Sequence, residues 1–432
     1  MKATVLALLV SVAAGIAVSE ARAADLAIAC SALGKERELC QEGIDEWAKR
    51  TGNTVHIVSA PNSATERLAL YQQLLAARAP DIDVFQIDVV WPGILARDLV
   101  DLTEIAGPRA DDHLPAMVKS ATVDGRFVAM PWFADVGLLY YRKDLLEAAG
   151  RPVPRSLAEL AETAQLVQER QRAAGDPGFW GYVWQGRAYE GLTVNALEWI
   201  ASSGGGTIID DAGAVTINNP RAAGALSLAA GLVGTISPRG VLNYTEEEAR
   251  GVFQSGHALF MRNWPYAWAL GESPDSTVKG RIGFAPLPAG EPTETSHAVL
   301  GGQLLAVSAY SANRELAVDL VTYLTGREEQ KRRALAGSVN PTIPALFDDA
   351  DIRRDAPFIA QLRPIFEGAV ARPSAVTRSS YNKVSARFFD AVHQVLSGSL
   401  GAGPALERLA QALRREGTRR GWAKGSAEGS AK

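Results

Sequence analysis

The stretch Asp81–Trp91, DIDVFQIDVVW, decides how the chain is read. It follows a run of helical periodicity, RLALYQQLLAAR at 67–78, and its apolar centre, Val84, Phe85 and Ile87, reads as a short buried strand. In an open α/β sheet, ligands sit in the crevice outside the carboxyl ends of the strands. This segment puts a carboxylate, Asp88, at that end and an indole, Trp91, just past it. A carboxylate accepts paired hydrogen bonds from vicinal hydroxyls, and an indole offers an apolar face to a pyranose ring. The pair points to a sugar site. The competing reading is that Asp88 caps the next helix and Trp91 belongs to the core.

Outward from this strand, the periodicity alternates between strand and helix, which predicts an α/β class with largely parallel sheets. Leu26–Ala29, Thr54–Val58 and Asp83–Ile87 read as strands, and Glu36–Arg50 and 65–78 as the helices between them. Phe127–Pro131 leads into Ala134–Tyr141, which reads as one apolar strand. Helices follow at Lys143–Ala149 and Ser156–Ala173, the second opened by a capping box of Ser156 and Glu159. Residues 176–190, DPGFWGYVWQGRAYE, lack a clean period and read as a loop-borne surface. Thr207–Ile217 is a hairpin; the glycines at 204–206 lead into it and lack the Lys-Ser/Thr of a phosphate loop. Helices at 219–233 and 245–254, a strand from 258, two strands within 281–308 and helices at Glu315–Leu324 and Glu328–Ala336 complete the pattern. No single linker divides the chain, which suits two lobes sharing several crossovers, with a ligand cleft between them.

The first 23 residues read as an export signal. Lys2 supplies the positive start, 3–18 are apolar and small, and Ala21-Arg22-Ala23 forms the cleavage site. No other segment is apolar for long enough to span a membrane. Without its leader the chain carries a formal charge of about −5, and it has no basic run, which argues against nucleic acid and anionic membranes. Two cysteines, Cys30 and Cys40, in an exported chain suggest a disulfide; two buried thiols, or a lipidated Cys30, are the alternatives.

Catalytic signatures are thin. The five histidines lie far apart, no metal-binding spacing or G-x-S-x-G elbow occurs, and no carboxylate pair stands out as a glycosidase would need. No catalytic residue, metal or cofactor is expected. Aromatic placement is more telling: Trp91, Trp132, Trp180, Trp184, Trp264 and Trp268 fall at expected loops or strand ends. Each singly suits a core; together, near Asp88, Asp135, Glu190 and Arg372, they suit a polyhydroxylated ligand.

The segments DIDVFQIDVVWPGILA (81–96), MPWFADVGLLYYRKDLLEAAG (130–150), FWGYVWQGRAYEGL (179–192), RNWPYAW (262–268), LGGQLLAVS (300–308) and ARPSAVTRSSYNKVS (371–385) resemble the periplasmic solute-binding proteins of ABC sugar importers. Within that family the trehalose- and maltose-binding ThuE-like branch is the nearest match recognised. The resemblance implies two α/β lobes joined by three crossings, near 132–135, 283–285 and 325–330. With the leader at 1–23, lobe one comprises 24–133 and 284–326. Lobe two comprises 134–283 and, with the last hinge crossing, 327–416. A disordered tail occupies 417–432. The resemblance carries sugar contacts onto Glu36, Asn62, Ser63, Asp88, Asp135, Tyr189, Glu190, Trp264, Tyr266, Gly302, Gln303 and Arg372.

Simpler roles compete at several of these. Glu36 is a first-turn carboxylate that favours the helix dipole, Ser63 a helix cap, Asp135 a structural acid at the hinge, and Arg372 a partner for a neighbouring acid. Gln303 stands where some relatives carry Trp, and Phe133 where relatives carry Tyr, departures that would alter disaccharide selectivity. The implied protein is a monomeric periplasmic receptor. It binds an α-glucoside disaccharide, trehalose, maltose or sucrose, and hands it to the ABC permease subunits. Another glycoside, a glucosylated osmolyte or an exported glycosidase are the alternatives.

Overall fold

The computed structural model describes residues 24–30 and 34–422. The expected leader at 1–23 and the last ten tail residues lie outside them. Eleven strands occur among the described residues: β1 Asp25–Ala29, β2 Thr54–Ile57, β3 Val84–Asp88, β4 Thr122–Val123, β5 Arg126–Phe127, β6 Met130–Val136, β7 Leu138–Arg142, β8 Trp180–Val183, β9 Ala258–Asn263, β10 Ile282–Ala285 and β11 Leu300–Val307. They form a five-stranded sheet of order β2-β1-β3-β11-β6, a four-stranded sheet of order β10-β7-β9-β8, and the small β4-β5 hairpin.

Each large sheet anchors its own apolar core. Leu26, Ile28, Val84, Phe85, Ile87, Leu304 and Leu305 build one; Leu139, Tyr140, Tyr182, Phe260 and Met261 build the other. These are the two lobes. The sheets are mixed rather than largely parallel. Strand β1 runs parallel to β2 and β3, but β11 is antiparallel to both neighbours, and β7 to both of its own. The cause is the crossing pattern: a strand entering from the other lobe has no helical crossover to orient it parallel.

The stretch read as one strand over Ala134–Tyr141 is two strands in two sheets. Strand β6 ends at Val136, β7 begins at Leu138, and Gly137 carries the chain between lobes. The buried carboxylate of Glu198 fills the space above Gly137, and a Cβ there would also lie 2.6 Å from the Arg262 guanidinium. The second crossing is the loop between Ala285 and Leu300, later than 283–285. The third lies past helix Arg327–Gly337 rather than at 325–330. Arg332 on that helix donates to the Leu39 carbonyl at 2.7 Å and pairs with Glu42, tying the helix to lobe one. Beyond it Asn340 exchanges hydrogen bonds with the Ala134 backbone, both at 3.2 Å, so the first and third crossings run side by side.

Other differences are local. Trp180–Val183, within the expected surface loop, is an edge strand pairing parallel with β9. Its neighbours Phe179 and Trp184 are buried. The final helix runs Ala402–Arg420, so 417–420 are helical rather than tail; Arg419 and Arg420 both pair with Glu416 one turn back. Cys30 and Cys40 are joined in a disulfide that ties the end of β1 to helix Gly34–Thr51. Among the described residues no helix is long and apolar enough to cross a membrane.

Candidate ligand-binding cleft

Sheet register assembles one wall of a cavity of about 270 Å³. Gln303 stands opposite Asp88 on β3 and opposite Phe133 on β6, and Gly301 stands opposite Asp135. The ends of β3 and β6 therefore meet the start of β11. At that junction β11 bulges after Gln303. Gly302 adopts φ +121°, with the Phe133 carbonyl where a side chain would be. Only glycine fits there. Its expected role as a backbone contact is partly taken up, since its carbonyl accepts the Val89 N–H at 3.3 Å.

Glu36, Asn62, Asp88, Asp135, Tyr189, Glu190, Trp264, Tyr266, Gly302, Gln303 and Arg372 all line this cavity. Ser63 does not. It caps helix Ala64–Ala76, its hydroxyl accepting the Glu66 N–H, because the chain turns into the helix at that residue.

Arg372 is the buried link between walls. It donates to Glu190 at 2.8 Å from one side of the fork and to Asp88 at 3.0 Å from the other. Asp88 also accepts the Val90 N–H at 3.1 Å, a local turn bond; it does not cap the following helix Pro92–Leu95, whose N-terminus carries no side-chain cap. Burial pushes the Glu190 carboxyl upward, and Arg372 opposes that. Ser385 donates to Glu190 at 2.5 Å and Tyr381 donates as well. Asp135 is different. Burial, then the neighbouring Glu36, drives its carboxyl well above the usual range, against the pull of Arg262 and Arg333. No side chain or N–H among the described residues donates to it.

The opposite wall comes from the segment after β9 and from helix Glu246–Gln254. The Trp264 indole N–H donates to Glu246 at 3.2 Å, and the Tyr189 hydroxyl donates to the same carboxylate at 2.6 Å. Tyr266 donates to Glu247 at 2.6 Å. Burial and these carboxylates hold both phenols well above their ordinary range, so they stay neutral donors. Glu246, Glu247, Arg250, Arg67 and Gln86 also line the cavity and escaped the sequence reading. The acidic triplet at 246–248 looks like a solvated first helical turn; only the tyrosines aimed at it mark it as part of a wall.

Most of the expected aromatic platform is core. Trp91 meets Tyr71 edge-on, Trp184 meets Trp199 edge-on, and Trp268 stacks on Phe358. Trp132 lies under Arg333, and Trp180 under Arg172. Trp264 alone among the six lines the cavity. Among the described residues no group of acids, histidines and cysteines could hold a metal ion. With Arg372 bonded to both Asp88 and Glu190, those two carboxylates are clamped.

Residues 34–331 match the family of bacterial extracellular solute-binding proteins. The chain belongs to that family. This solute-binding protein is 50% identical over 423 residues to a probable ABC transporter-binding protein of Deinococcus radiodurans, covering 97% of this chain and 99% of the relative. It is also similar to the maltose-bound structure of MalE3 from T. maritima. There the TM-score is 0.86 and the identity 38%, over 91% of this chain and 100% of the other. The GacH receptor of Streptomyces glaucescens, solved unliganded and with acarbose, shares the fold at 23% identity and TM-score 0.79, over 91% and 98% of the two chains. The solute-binding protein therefore has the two-lobed periplasmic binding protein fold and is a receptor, not an enzyme.

Proposed function

We propose that this solute-binding protein is exported, closes its cleft on an α-glucoside disaccharide such as maltose, trehalose or sucrose, and delivers it to an ABC permease. One juxtaposition carries the reading: the half-buried Trp264 ring shares a cavity with the Asp135 carboxylate, which has no hydrogen-bond donor among the described residues. Sugars present an apolar C–H face and hydroxyl donors on the same ring, so a flat aromatic surface beside open acceptors suits them. The buried Oε1 of Gln303, also without a partner among the described residues, adds a second acceptor. The likeness to maltose-bound MalE3 supports the disaccharide. A ligand touching both walls favours the closed arrangement by its differential affinity for it.

The test is isothermal titration of the protein, unfolded and refolded to strip bound sugar, with maltose, trehalose, sucrose, glucose and mannitol. Tight 1:1 binding of a disaccharide supports the reading. Preference for glucose or mannitol would replace the cargo, and silence across the panel from folded protein would overturn a sugar receptor of this kind.

A further inference from the structure

The ring of Trp264 is held from behind by a buried cation. The Arg262 guanidinium carbon lies 4.1 Å from the ring centroid, within the range of a cation–π contact. Arg262 and its partner Glu198 are 1% and 2% exposed. The pair is bidentate, at 2.8 and 2.6 Å, and the third guanidinium nitrogen reaches Gln185 at 3.3 Å.

This pair also touches the chain where it changes lobes. Glu198 accepts the N–H of Val299, at the end of the second crossing, at 3.3 Å. Its carboxylate occupies the space above Gly137, at the first crossing. On the lobe-one side, a Cβ added to Gly301 would lie 2.8 Å from the Trp264 ring, so the indole edge is packed against β11. A buried ion pair is by itself weak evidence of stabilisation, because desolvation cancels much of its attraction. Here its place in the fold supplies the reason for keeping it.

We infer that Arg262 and Glu198 form a positioning pair that couples the plane of the Trp264 ring to the first and second crossings, so that ring orientation and lobe separation change together. The sugar-platform role of the ring rests on the function proposed above; the coupling of the pair to the crossings does not.

The test uses the full chain with nitroxide labels on Asp45→Cys and Glu407→Cys, exposed positions on helices of opposite lobes. Dipolar spectroscopy reads the interlobe distance without ligand. Trp264 emission is read by difference against Trp264→Phe, and maltose affinity by titration. The Arg262→Leu/Glu198→Met double variant removes the pair without stranding a charge, and Arg262→Lys keeps the charge while losing the planar stack. The expected result is a broadened distance distribution and shifted Trp264 emission in both, with maltose binding about tenfold weaker. A merely structural pair would lower the melting temperature and leave distance and emission unchanged, which overturns the inference. Should the double variant not fold, Arg262→Lys decides by the same readouts. Wild type that ignores maltose counts against the sugar reading alone, and the ligand-free distances still decide the coupling.

Discussion

The two walls of the cleft are made differently. Lobe one offers three hydrogen-bonded strands, and two polar tips there are open: Asp135 accepts no hydrogen bond from the described residues, and the Gln303 Oε1 is buried without a partner among them, whereas Asp88 is taken up by Arg372. Lobe two offers a ring and helix starts whose polar groups are satisfied among themselves, with Tyr189 and Trp264 donating to Glu246 and Tyr266 to Glu247. A buried polar group without a partner costs about 1–3 kcal/mol. A ligand that donates to the lobe-one wall removes that cost, while the lobe-two wall supplies a preset surface to lie on. On the function proposed above, recognition divides between hydrogen-bonding capacity on one side and shape on the other.

The severest way to break this contrast is to remove what joins the walls. Arg372→Met strands Asp88 and Glu190 together without their cation. Loss of one side of a buried ionic cluster typically costs about 3–5 kcal/mol, to be read from urea unfolding. An unchanged midpoint would mean the three residues do not act as a unit. Next comes the preset surface. Trp264→Ala should weaken disaccharide binding by about 2 kcal/mol or more, near thirtyfold, as for a central aromatic anchor. Titration checks this, with unfolding as the control that the core is intact.

The open wall is probed through pH. Because the Asp135 carboxyl is raised in the folded protein, the fold holds that proton more tightly than the unfolded chain does. Stability therefore falls as pH rises from the ordinary carboxylate value through the raised one, and nothing is lost below the ordinary value. Asp135→Asn should flatten that slope and be the more stable protein above it. In binding, a hydroxyl donated to ionised Asp135 makes affinity rise with pH over the same window, and the Asn variant should show no such rise. Melting curves and titrations across a pH series decide both. The smallest effect belongs to Ser63→Ala, which should cost about 1 kcal/mol of stability through loss of the cap and leave affinity unchanged. A large loss of affinity would return Ser63 to the wall.

Local pattern was enough to read the elements of lobe one, since Leu26, Ile28, Val84 and Ile87 alternate or cluster as buried strands must. Asp88, at the end of its strand, was legible for the same reason; Asp135 and Gln303 were reached only through the family resemblance. Tertiary partners were not. Nothing in the run Ala134–Tyr141 tells that Gly137 lies against a carboxylate 61 residues further along, so two strands read as one. Tryptophan carries no mark of which ring faces a cavity: of the six expected platform rings, Trp91, Trp132 and Trp184 are buried core, Trp268 packs partly buried against it and Trp180 lies under Arg172. Glu246 and Glu247 looked like solvent-facing acids because their tyrosine partners come from other segments.

One topological feature bears on how such a chain is made. Strand β11, inserted between β3 and β6, comes from residues 300–307, after all four strands of the lobe-two sheet have been laid down. Until Val307 is available, the opening β2-β1-β3 ribbon keeps an unpaired edge and β6 has no neighbour in its sheet. Pairings this distant along the chain form slowly. For a chain exported as proposed above, that delay keeps the first lobe from completing its sheet before the rest of the polypeptide follows.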